Sequence, residues 1–235
     1  MEKPIFPSEY MRITQGYMEG THEDSYAIDN AGKDGNISDI YAPFSGIIKK
    51  IYPTDANEVW LESTDPVQYP DGTIDYMTVL FAHNNDVSNL FVGKRIHQKE
   101  VFYQEGTKGN VTGNHCHIEC GRGKYTGTGW HKNKAGYWSI NNGKKPEECF
   151  WLDDNIKILN NYNYSFKKIS TNYVEKAKEK VNSQENVDKN ENTLPISVNK
   201  EEIKVNKKEF IAPKTALYGV YLKEKDKITI EKSSK

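Results

Sequence analysis

No hydrophobic run in this 235-residue chain approaches the roughly 18 apolar residues of a membrane span. The first ten residues, Met1 to Tyr10, also lack the apolar stretch of a secretory signal. Membrane insertion is therefore not expected, and the chain is expected to be made in the cytoplasm without a signal peptide. An excess of charge of one sign is missing too: 32 Lys and Arg stand against 33 Asp and Glu, for a net charge of −1. No global basic field recruits nucleic acid or anionic lipid, so neither is an expected partner. Cysteine is scarce, with three residues, and Cys116 and Cys120 on one strand would stand about 13 Å apart at about 3.3 Å per residue. That is beyond the ~7 Å Cα reach of a disulfide, so reduced core thiols are expected. Before residue 155 no long amphipathic helix is evident, and no internal repeat appears.

What is present is β pattern. Asp39 to Phe44, Gly46 to Tyr52, Glu58 to Glu62, Tyr76 to Ala82 and Val101 to Tyr103 alternate between Gly, Pro, Asn and Asp clusters. They predict a mainly β domain built on an antiparallel sheet over residues 1–158. Mean hydropathy is low at −0.82, which predicts that part of the chain lies outside a packed core. Composition turns to Lys, Asn, Glu and Ser afterwards, and 159–194 reads as a flexible polar linker, partly helical at most. Strand pattern returns over 195–235. About 40 residues are marginal for a core of their own, so this tail is expected to pair two chains as a homodimer, dock on the first domain, or act as a small binding module.

The most informative residues are His115-Cys116-His117-Ile118-Glu119-Cys120. On a strand, alternate side chains share a face, so His115, His117 and Glu119 lie on one side and Cys116, Ile118 and Cys120 on the other. Two neighbouring imidazoles on a rigid element suit zinc, which takes nitrogen ligands at about 2.0–2.1 Å. Alone, such a pair reads more simply as two surface histidines, and its context decides. Upstream, His22 lies in a turn and Asp29 ends a short strand-like run. The helical His-Glu-x-x-His zinc motif is excluded, because Tyr26 occupies the place of its second His.

Taken in order, these elements resemble the lysostaphin-like zinc endopeptidases that cut peptidoglycan peptides. The resemblance rests on His22 with Asp29, Tyr41-Ala42-Pro43-Phe44-Ser45-Gly46, Phe81-Ala82-His83, Val92-Gly93 with Ile96, and Gly113-Asn114-His115-Cys116-His117-Ile118-Glu119. It spans about residues 13–120. The chain departs from the family's tighter His-to-Asp spacing, since six residues intervene between His22 and Asp29. Glu23 and Asp24 therefore compete with Asp29 as the carboxylate, and Asp29 is favoured because Ser25 to Gly32 resembles the extended variant of phage lytic enzymes.

The resemblance implies one Zn²⁺ per chain held by His22, Asp29 and His117, with His83 and His115 as the catalytic pair and the fourth metal position left for water or the scissile carbonyl. Glu119 is expected to orient an imidazole. His131, in a Gly- and aromatic-rich loop, is expected to line a substrate groove, and the Tyr17 hydroxyl is a candidate for oxyanion contact. His97 reads as a solvated surface residue. The implied substrate is a bacterial peptidoglycan peptide, reached by a phage-type lysin after holin release or as a virion component. Two other classes compete. One is a non-catalytic wall-binding or regulatory scaffold of the same fold, which would normally have lost ligands. The other is a lipoyl, biotinyl or phosphocarrier domain, suggested by Ala42 to Lys49, which needs no three-ligand set.

Overall fold

A computed structural model of the chain describes residues 1–33, 36–53, 55–126 and 130–169. The expected remainder of the linker, 170–194, and the tail, 195–235, lie outside the described residues. The strands in the first half are β1 (Tyr10–Gln15), β2 (Ile28–Asn30), β3 (Asp39–Tyr41), β4 (Gly46–Tyr52), β5 (Glu58–Ser63), β6 (Val67–Gln68), β7 (Ile74–Asp75) and β8 (Met77–Ala82). They continue as β9 (Arg95–Ile96), β10 (Val101–Gln104), β11 (Cys116–Arg122), β12 (Trp130–Lys132), β13 (Trp138–Ile140), β14 (Gly143–Lys144), β15 (Trp151–Leu152), β16 (Lys157–Asn160) and β17 (Lys167–Lys168). The one α-helix among the described residues, α1, is the single turn Pro146–Cys149. The fold is mainly β, and no helix among the described residues is long and apolar enough to cross a membrane.

The principal sheet runs β16-β1-β2-β11-β8-β5-β4-β9, with β14 also paired to β11. It is antiparallel except for the parallel β1–β16 edge. Alternation assigns each face. Ile13, Ile28, Val59, Leu61, Val79, Phe81, Cys116 and Ile118 are fully buried in the main core, where Phe6, Phe44, Tyr103 and Phe150 cover them. The opposite face carries a smaller cluster of Trp60, Leu80, Ala82 and Ile140. Because His117 and Glu119 alternate with Cys116, Ile118 and Cys120, the strand that fills the core presents its polar residues to that second face. All three cysteines are buried and unpaired.

The polar segment after residue 158 departs from the sequence expectation at its start. Leu159 and Asn160 complete β16, Tyr162, Tyr164 and Phe166 pack against the main core, and Ile169 is buried beside Ile5. In sequence these half-buried aromatics alternate with Asn163, Ser165 and Lys167, which stay exposed. Average composition hid that alternation. If residues 160–169 belong to the folded unit, Phe166→Ala, which removes an edge-on contact to Phe6 at 5.8 Å between ring centroids, should cost about 2 kcal/mol in urea unfolding. Exposed Ser165→Ala should stay within about 0.5 kcal/mol, and equal, negligible effects would place this segment outside the core.

Candidate metal centre

Register builds the centre. Across the β2–β11 pair His117 stands directly opposite Asp29, and across β8–β11 it stands opposite Ala82, the residue before His83. His22 arrives from the 3-10 turn Gly20–His22. His22, Asp29 and His117 bring their ligand atoms within 4.8 Å of one another. His22 Nε2 lies 3.2 Å and His117 Nδ1 3.1 Å from the same oxygen, Asp29 Oδ1. Donors at neighbouring corners of a tetrahedron about 2.0–2.1 Å in radius stand about 3.3 Å apart, so this spacing is that of a zinc-sized ligand set. Glu23 and Asp24 are exposed, Asp24 in a left-handed turn position at φ +65°. The buried carboxylate among the histidines is Asp29, 8% exposed.

The outward nitrogen of each imidazole is engaged. His22 Nδ1 lies 2.9 Å from the Gly16 carbonyl, and a carbonyl can only accept, so Nδ1 carries a proton and Nε2 is the nitrogen turned toward Asp29. His117 meets Glu119 Oε1 through Nε2 at 3.3 Å, which leaves Nδ1 for Asp29. His83 Nδ1 donates to the Lys108 carbonyl at 2.8 Å and His115 Nδ1 to the Gly113 carbonyl at 2.9 Å. His115 Nε2 lies 3.6 Å from Asp29 Oδ2. The rings of His83 and His115 are 4.7 Å apart between centroids, and those of His22 and His117 4.9 Å. Three imidazoles, His22, His115 and His117, thus face one carboxylate, with His83 against the His115 and His117 rings, and the other nitrogen of each ring has its own partner.

Backbone constraints hold the second pair. His83 adopts φ +86°, a conformation that costs a non-glycine residue energy and needs its surroundings to impose it. Its N–H donates to the Ala56 carbonyl at 2.7 Å and its carbonyl accepts from Lys108 N at 3.1 Å. Gly106 exchanges two backbone hydrogen bonds with His115, and a Cβ there would meet the His83 carbonyl oxygen at 2.2 Å. Only glycine lets the His115 strand approach His83 so closely.

Charge follows from these contacts. Burial disfavours ionisation of Asp29, but hydrogen bonds from His117 and His22 outweigh it and hold the carboxyl far below the usual range. Burial would likewise depress His117, yet Asp29 and Glu119 overcome it and push the imidazole up to about 10. Glu119 is lowered against its own burial by His117 and by the Ile140 N–H, which donates at 2.6 Å. Burial and the His117 charge push His83 down to about 4. The cluster therefore holds two carboxylates and asks for a cation, which in the metal-free protein is a proton on His117.

Other expected residues fall elsewhere. Glu119 does sit behind His117, supported by Ser25 Oγ at 3.4 Å. Tyr17 does not join the histidines: its hydroxyl donates to Glu147 Oε1 at 2.9 Å, and its ring stacks on Tyr164. His131 pairs through Nδ1 with Asn141 Oδ1 at 2.9 Å in the β12–β13 hairpin. His97 is half-buried just beyond β9, the edge strand. The carbonyls of Gly16, Lys108 and Gly113, which set three tautomers, have no side-chain signature and are not readable from sequence.

No family model matches the chain. Over 125 residues it is 30% identical to morphogenesis protein 1 of Bacillus phage B103, covering 52% of this chain and 33% of that protein. The chain thus spans about a third of that relative's length. Among solved structures, the catalytic domain of lysostaphin from Staphylococcus simulans is 19% identical, with 49% of this chain and 84% of that one covered at a TM-score of 0.37. The catalytic domain of the prophage-encoded protein EnpA from Enterococcus faecalis gives 18%, 52%, 88% and 0.38 in the same order. Likenesses at this distance assign no activity to the chain.

Two outcomes test the centre. Zinc bound by the purified protein should be largely lost in His117→Ala and Asp29→Ala and kept in Asp24→Ala, by elemental analysis; full retention in Asp29→Ala would reject that ligand. His117 must also shed its proton to ligate, and its pKa of about 10 lies above neutrality. Zinc affinity should therefore rise about tenfold per pH unit between about pH 6 and 9, and a flat profile in buffered competition titrations would contradict the assignment.

Proposed function

We propose that this protein is a zinc-dependent endopeptidase that hydrolyses peptide bonds of bacterial peptidoglycan, stem peptide or cross-bridge. The observation that carries the reading is the convergence of His22, His115 and His117 on the Asp29 carboxylate, with His83 against the His115 and His117 rings and one nitrogen of each ring engaged elsewhere. His22, Asp29 and His117 would hold the ion, a two-nitrogen, one-oxygen set that leaves a position open, as catalytic zinc requires. When bound, zinc supplies Lewis acidity toward a carbonyl oxygen and lowers the pKa of water from 15.7 to about 7.

The chain's own residues then handle protons and orientation. His83 is neutral at pH 7, since burial holds its pKa near 4. Its Nδ1–H is committed to Lys108, so Nε2 offers the lone pair that accepts a proton. His115 presents Nε2 beside Asp29 Oδ2 with Nδ1 likewise committed to a carbonyl. Asp29 and Glu119 orient the His117 ring from both sides. The order of motifs along residues 13–120 supports peptidoglycan as substrate. The partial match to a phage morphogenesis protein supports a phage setting. In that setting the enzyme would reach the wall after holin-type release or as a virion component. Residues 195–235 would tether it to the wall or to a second copy, raising local substrate concentration.

Replacing His83 or His115 by Ala should leave zinc content unchanged and lower turnover on purified walls by roughly 10²-fold or more. Mass spectrometry of the newly freed amines reads the reaction directly. Wild-type release rates in either variant would remove that residue from the mechanism, and no released amine from the zinc-loaded wild type would reject the peptidase reading.

A further inference from the structure

We propose that Tyr164 is a positioning residue for the metal centre, acting on His22 through the peptide group between Gly16 and Tyr17; the inference rests on the reading of His22 as a ligand. The Gly16 carbonyl and the Tyr17 N–H are opposite ends of one planar unit. The carbonyl accepts from His22 Nδ1 at 2.9 Å, and the N–H donates to the Tyr164 hydroxyl at 3.2 Å. Turning the plane to release one end releases the other. Tyr164 thereby fixes the direction of the carbonyl that decides which His22 nitrogen faces Asp29.

The surroundings of Gly16 leave the unit little freedom. A Cβ at this position would lie 2.4 Å from the Tyr164 hydroxyl oxygen and 2.6 Å from Tyr162 Cε1, so two tyrosines close directly on the backbone. Glu19 Oε1 accepts from the Gly16 N–H at 2.8 Å and also from the Tyr162 hydroxyl. The peptide group after Gly16 is therefore held by Tyr164, and the one before it by Glu19, to which the Tyr162 hydroxyl donates.

The turn that delivers the tyrosines is built for that placement. Tyr162 and Asn163 both take left-handed conformations, at φ +57° and +61°. Asn160 Oδ1 and Asn161 Oδ1 receive their N–H groups at 3.0 and 3.2 Å, the side-chain-to-backbone pattern that makes such turns affordable for non-glycine residues. Asn161 Nδ2 donates to the Tyr164 carbonyl at 3.0 Å, and Asn160 Nδ2 ties the turn to the Ile13 carbonyl on β1 at 2.7 Å. Outer partners that set a ligand's tautomer are worth about 10–100-fold in metal affinity; here that support reaches one layer further, into a segment whose composition reads as linker.

Tyr164→Phe in the full chain removes the hydroxyl but keeps the ring stacked on Tyr17, 4.4 Å between centroids and 11° from parallel. Zinc affinity from chelator competition should fall about tenfold, and the visible bands of the cobalt-substituted protein should shift. The unfolding midpoint of the metal-free protein should stay near wild type. Tyr17→Phe, which loses only the bond to Glu147, should bind metal as the wild type does. Wild-type affinity and cobalt spectrum in Tyr164→Phe would overturn the proposal, as would equal weakening by Tyr17→Phe. Wild-type protein that takes up no metal would reject the centre itself. In that event the ¹⁵N shifts of the metal-free His22 ring still decide: a proton fixed on Nδ1 in wild type and redistributed in Tyr164→Phe supports the positioning role, and identical shifts reject it.

Discussion

The pairing of β11 between β2 and β8 is the constraint on which everything else depends. It sets His117 opposite Asp29 on one side and opposite Ala82, next to His83, on the other. A slip of one residue would turn Cys116, Ile118 and Cys120 to the site face and drive His117 and Glu119 into the core. Cys116 and Ile118 are fully buried, and Cys120 is 1% exposed. Expelling them while burying an imidazole and a carboxylate against apolar neighbours would cost several kcal/mol. The hydrophobic half of the strand therefore enforces the position of its chemical half.

Within that register, the centre works by giving each ring nitrogen one job. Carbonyls of Gly16, Lys108 and Gly113 and the carboxylate of Glu119 take the outer nitrogens, and the inner ones face a common space. A buried carboxylate pair without a cation is unfavourable, and in the metal-free protein a proton on His117 answers that charge. A divalent ion would replace the proton and satisfy both carboxylates' field at once. The same electrostatics that would bind the ion would thus couple its uptake to proton release.

Much of this was legible in the sequence because it depends on side chains at fixed spacing. The period-two alternation of His115, His117 and Glu119 against three apolar residues gave the strand and its faces, and Gly46 to Tyr52 forms the strand that its alternation predicted. The choice of Asp29 over Asp24 followed only from resemblance, and the reason for it is tertiary: Ile28 to Asn30 pair with β11, while Asp24 sits in an exposed turn. What stayed hidden were backbone groups and long-range partners. Tyr17 looked available for catalysis because nothing local reveals Glu147, 130 residues away in sequence. Tyr162, Tyr164 and Phe166 looked like linker because abundant Asn and Lys masked their alternation.

The central claim, that His22, Asp29 and His117 form a zinc centre with one open position, is tested most directly by X-ray absorption at the zinc edge of the loaded wild-type protein. The account predicts a shell of about four nitrogen and oxygen atoms at about 2.0–2.1 Å, with the outer-shell scattering of two imidazoles and no sulfur. Sulfur scattering at about 2.3 Å, or a fully hydrated ion without imidazole signal, would contradict it.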